Sequence, residues 1–209
     1  MSRLLHISSS PRGAASASLT IADAFVERYR ATHPTAEAAS WDLWDGTLPE
    51  FGPAAAAAKM TVFGGGTPEG EPAAAWQAAL DAFARFDAAD HLLFSVPMWN
   101  AGVPYILKQF IDVVSQPGAI FGVDLETGYI PLLAGRGKKV AVIYTSAVWG
   151  PQTGPNFGSN FQSPYFEDWL RWTGIDDITA IRSHPTLTGD AELALKQAEE
   201  HARAVAETF

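Results

Sequence analysis

Three short stretches hold residue types suited to gripping a small ligand that is anionic at one end and flat at the other. The first is SSSPRGAASAS, residues 8–18. It follows an apolar run, RLLHIS, and leads into helical spacing. A helix N-terminus presents unpaired N–H groups and partial positive charge, which suits a phosphate. Ser9, Ser16 and Ser18 can add hydroxyl donors, and neighbours as small as Ala17 let a phosphate approach the backbone. Arg12 either adds charge or faces water. A serine cap explains Ser16 by itself but not the whole stretch.

The second stretch is PMWNAGVP, residues 97–104. Met98 and Trp99 offer apolar walls, and backbone N–H groups around Asn100 and Ala101 offer donors to the polar rim of a flat ring. Taken singly, Met98 and Trp99 read as ordinary core. The third is SAVWGPQTG, residues 146–154, preceded by Thr145. Thr145, Ser146, Trp149 and Gly150 again combine small donors with an aromatic. Phosphate donors on one loop and ring contacts on two others describe a mononucleotide with a large planar base. A flavin fits better than a nicotinamide dinucleotide. No G-x-G-x-x-G follows the first apolar run, and no G-x-x-x-x-G-K-[ST] occurs anywhere. The glycines of FGGGTPEG, residues 63–70, read as a flexible loop.

The elements that must position these loops alternate along the chain. Strands are expected at 3–8, 37–43, 91–96, 139–145 and 177–182. Helices are expected at 16–33, 72–86, 104–116, 164–173 and 190–208, with a short one inside an irregular excursion at 44–71 and a lid-like hairpin at 119–135. The strand segments are apolar runs rather than alternating patterns, as when helices cover both faces of a parallel sheet. The expected fold is a single α/β domain over residues 1–209, three-layered and flavodoxin-like, with five parallel strands in the order 2-1-3-4-5. In such a sheet ligands bind beyond the carboxyl ends of the strands, near the switch in strand order. The three unusual loops follow strands 1, 3 and 4 and therefore share that edge.

Bulk composition narrows the function classes. With 209 residues and 47% hydrophobic content the chain can build a full core. A net charge of −9, with Arg136, Lys138 and Lys139 the densest basic group, argues against nucleic-acid binding. The absence of Cys removes disulfides, thiolate metal sites and Cys nucleophiles, and no metal is expected. Neither a secretion signal nor a run long enough to span a membrane is read, so cytosol is the expected compartment.

Beyond these residue-level readings, the chain resembles the FMN-dependent NADH azoreductases and related NAD(P)H:quinone oxidoreductases. The resemblance runs nearly end to end through SSSPRGAASAS, PMWNAGVPYILKQFIDVVSQPGAIF, GYIPLLAGRGKKVAVIYTS and PYFEDWLRWTGI. It implies bound FMN, with Ser9, Ser16, Ala17 and Ser18 on the phosphate. Pro97, Met98, Trp99, Asn100 and Ala101 would contact the ring system, and Thr145, Ser146, Ala147, Val148, Trp149 and Gly150 would face its pyrimidine edge. It implies a homodimer with sites at the interface, Phe121 covering the partner's site. Two departures stand out: Ala101 replaces a family aromatic, and AVWGPQTG replaces a loop carrying cationic groups. The implied reaction is ping-pong hydride transfer from NADH or NADPH through FMN to a quinone or azo compound. Trp99, Phe121, Trp149, Phe157 and Phe161 would line the slot for a small aromatic acceptor, and no side-chain acid or base is assigned. An electron-carrying flavodoxin, or a reductase dedicated to one metabolite, are the competing readings.

Overall fold

A computed structural model describes residues 2–209. Five parallel strands form the central sheet: β1 (Arg3–Ser8), β2 (Glu37–Asp42), β3 (His91–Pro97), β6 (Lys139–Thr145) and β7 (Asp177–Ser183). Their order is β2-β1-β3-β6-β7. Between β3 and β6 the chain inserts an antiparallel hairpin, β4 (Phe121–Asp124) and β5 (Gly128–Pro131). Setting the hairpin aside, the sheet has the expected 2-1-3-4-5 order.

Helices α1 (Ala17–Thr32) and α6 (Ala191–Glu207) cover one face, while α3 (Gly70–Asp87), α4 (Tyr105–Val114) and α5 (Gln162–Thr173) cover the other. Side chains alternate across the sheet, so β1 sends Leu4 to the α1/α6 core and Leu5 and Ile7 to the opposite one. This is why β1, β3 and β6 are buried along nearly their whole length. β2, at the edge, buries only Trp41.

The region at 44–71 holds the short helix expected there. Helix α2 (Pro53–Phe63) occupies it, started by proline at its first turn. Helix α3 begins at Gly70, two residues earlier than expected. Helix α5 likewise begins early, because Asn160 Oδ1 accepts the N–H groups of Gln162 and Ser163, both at 3.1 Å. It ends at Gly174, whose φ of +98° is left-handed. A side chain at Gly174 would overlap the backbone of Ala134, so both conformation and space require glycine there. No helix among the described residues is long and apolar enough to cross a membrane.

Candidate functional site

The loop after β1 enters α1 through Ser16, the N-cap residue. Serine there normally bonds a first-turn N–H, but this one does not. Its Oγ lies 3.1 Å from Ser18 Oγ instead. The N–H groups of Ala17 and Ser18 meet no acceptor among the described residues. Ser16 and Ser18 are both buried, with Ala17 half-buried between them, so this helix start is partly withdrawn from water yet uncapped. Such ends are normally satisfied by side chains, water or a ligand. Two hydroxyls carry two protons, and their mutual bond uses one. One O–H and two N–H groups therefore remain for an anion. Ser9 stands differently: its hydroxyl donates to Ser95 O at 2.7 Å, so it forms the wall of the loop rather than a free donor. Arg12 is exposed and makes no ion pair among the described residues.

The loop after β3 is a two-residue hairpin. Trp99 and Gly102 exchange both backbone hydrogen bonds at 2.9 Å. Asn100 and Ala101 between them have φ of +48° and +67°. Two left-handed central residues define a type I′ turn, in which the second place usually belongs to glycine. Left-handed backbone costs a residue with a Cβ about 1–2 kcal/mol. Strain of this kind persists where the surroundings fix it, and it concentrates at functional sites. The turn points the N–H groups of Asn100 and Ala101 away from the chain, with no acceptor among the described residues. Below it, Met98 N–H donates to Thr145 O at 2.7 Å, tying this loop to the end of β6. Buried Gln162 adds a side-chain bond to Val96 O at 2.8 Å.

The loop after β6 is braced from within and from behind. The Ser146 hydroxyl donates to Trp149 O, and the Thr153 hydroxyl to Gly150 O. Thr186 and Leu187, just past β7, donate N–H groups to Ser146 O and Ala147 O. The Trp149 ring sits edge-on to His184, with centroids 5.2 Å apart. Burial holds the His184 pKa below its ordinary value, which keeps that imidazole neutral near neutral pH.

The loops after β3 and β6 flank a cleft of about 270 Å³ lined by Met98, Asn100, Ala101, residues 146–149 and Phe157. Trp149 and Phe157 both line this cleft. Trp99 and Phe161 do not join them: they line a second groove of about 720 Å³ on the other flank of the hairpin, with Tyr105 and Tyr165. Phe161 N–H donates to Ala101 O at 2.9 Å, so the two grooves share one wall. Phe121 reaches neither. It is 3% exposed, packed against Phe63, Tyr129 and Trp172. The apolar residues that β4 and β5 do expose are Val123, Tyr129 and Ile130, with Leu125 at the tip 99% exposed.

One contributor escaped the sequence reading. Trp44, two residues past β2, donates its indole N–H to Ser9 O at 3.1 Å. Its ring lies 5.9 Å from Trp99 and 5.2 Å from Tyr105. It links the anion loop to the hairpin. Nothing local in the sequence marks it, because its contacts come from Ser9 and Trp99 on other strands.

A protein family described as having a flavodoxin-like fold matches residues 2–206. A protein of Ruegeria pomeroyi named FMN-dependent NADH:quinone oxidoreductase is 45% identical over 190 residues, 91% of this chain and 92% of its own length. The chain belongs to this family. Within it, a Burkholderia lata protein named FMN-dependent NADH:quinone oxidoreductase 9 is 39% identical over the full length of both chains. Among solved structures, an azoreductase from Bacillus anthracis superposes with a TM-score of 0.89 at 24% identity, over the whole of both chains. At that identity the likeness speaks for the fold, which this family member shares throughout.

Proposed function

We propose that this chain is an FMN-dependent oxidoreductase passing electrons from NADH or NADPH to quinones or aromatic azo compounds. The observation that carries the reading is the partly buried, uncapped start of α1 at the same sheet edge as the strained Asn100–Ala101 turn. Anion donors and ring donors so placed fit the two ends of FMN. The Ala17 and Ser18 N–H groups and the spare Ser16/Ser18 hydroxyl proton would hold the phosphate. Pro97, Met98 and Trp99 precede the turn whose Asn100 and Ala101 N–H groups would meet the polar rim of the ring. Thr145, Ser146, Ala147, Val148, Trp149 and Gly150 would flank its other edge. Bound there, FMN would supply two-electron hydride chemistry between a nicotinamide donor and an aromatic acceptor.

The residues of this chain bind, orient and exclude water. Trp149 and Phe157 wall the cleft in which a flat acceptor would stack, and no side chain is placed to act as acid or base. The exposed apolar residues of the β4–β5 hairpin support a homodimer in which that hairpin reaches a second subunit. A cytosolic location suits an NADH-linked reductase. Purified protein should be yellow, and NADH should reduce its bound flavin directly in stopped-flow. It should also oxidise NADH in the presence of menadione or methyl red. A colourless protein that takes up no added FMN overturns the reading. Flavin that NADH does not reduce directly points to an electron carrier instead.

A further inference from the structure

Two buried polar residues, Ser95 and His6, lie outside the loops that would touch FMN, yet join both walls of the anion site. Ser95 is fully buried in β3. Its carbonyl accepts the Ser9 N–H at 3.1 Å and the Ser9 hydroxyl at 2.7 Å. Its own hydroxyl donates to Ser18 O at 3.3 Å, in the first turn of α1. The His6 Nε2 lies 2.8 Å from the same hydroxyl. With its single proton on Ser18 O, the Ser95 hydroxyl accepts from His6 in the Nε2–H tautomer. Burial pulls the His6 pKa down to about 4, so the donor is a neutral imidazole at physiological pH.

We propose that Ser95, oriented by His6, is the positioning residue of the phosphate subsite. Through one residue β3 fixes Ser9 on one wall and the first turn of α1 on the other. The separation of those walls sets where the Ala17 and Ser18 N–H groups point. Networks of this kind, closed and dry, hold geometry better than single bonds to solvent-exposed partners. The inference rests on the flavin reading above and adds to it the residues that set the subsite.

Riboflavin, which lacks the phosphate, separates a positioning role from a general structural one. Dissociation constants for FMN and riboflavin should be measured by fluorescence titration of flavin-free protein. Variants Ser95→Ala and His6→Leu should each bind FMN about tenfold more weakly, the equivalent of one lost buried hydrogen bond. Riboflavin binding should stay within about twofold of wild type. His6→Gln, which keeps a side-chain donor, should recover most of the FMN affinity. Equal weakening of both ligands, or no weakening, overturns the proposal. Should Ser95→Ala fail to fold, the contrast between His6→Leu and His6→Gln decides by the same ratio. Wild-type protein that binds no FMN is a separate failure, of the flavin reading itself.

Discussion

Replacing Ala101 by glycine tests whether the ring loop stores strain. Ala101 sits at φ +67° in the second place of a type I′ turn. Relief of the left-handed conformation returns about 1–2 kcal/mol. Glycine widens the unfolded ensemble and gives back about 0.4–1 kcal/mol. The net is a stabilisation of about 0.5–1 kcal/mol, which in a chain of this size raises Tm by about 1–4 °C. The measurement is calorimetry on flavin-free protein. Gly102→Ala is the internal control, because its backbone is not left-handed and an added Cβ would meet only Trp99 O, at 3.8 Å. That variant should lie within about 0.5 kcal/mol of wild type. The same glycine at 101 loosens the two outward N–H groups, so FMN should bind about two- to threefold more weakly. A fall in Tm for Ala101→Gly refutes the strain argument, and tighter FMN binding refutes the idea that the turn is preorganised for the ring.

Gly174→Ala combines a forbidden φ with overlap against Ala134. It should cost about 3 kcal/mol or more, and Tm should drop by about 6 °C or more in thermal melts. Acid stability should depend on His6, whose folded pKa of about 4 lies below the ordinary value of 6.5. Between those pH values the unfolded chain takes up a proton that the folded chain refuses. Stability is therefore complete above about pH 6.5 and falls by about 3 kcal/mol as pH drops to 4. Urea titrations at pH 7 and pH 4.5 should show a smaller loss for His6→Gln, and an unchanged loss would assign the acid sensitivity to other groups. Trp149→Ala removes a ring packed on His184 at the cleft wall. In steady-state assays it should raise KM for the aromatic acceptor about tenfold, with thermal stability nearly kept.

The sequence alone determined the layered fold and the sheet edge that the three unusual loops share. Short apolar runs without alternation, set between helical periods, fit parallel strands buried on both faces, and that spacing leaves few topologies. His6, lone in an apolar run, is buried in β1. The residue types around Ser16–Ser18 and Asn100–Ala101 pointed to donors, because small residues at a helix start and an Asn in a Pro-bounded turn have few other uses. The tertiary structure decided which donors are free. Ser9 looked equivalent to Ser16 and Ser18, but β3 places a carbonyl against it and takes its proton. Phe121 packs against Phe63 and Trp172, 58 and 51 residues away in the chain, contacts that no local pattern announces. Trp44 carried no local signal, since its value depends on Ser9 and Trp99 arriving beside it from other strands. Residue type and period are local properties of a chain. Whether a hydroxyl is spent, a ring covered or a wall shared depends on neighbours distant in sequence, and only the assembled sheet brings those together.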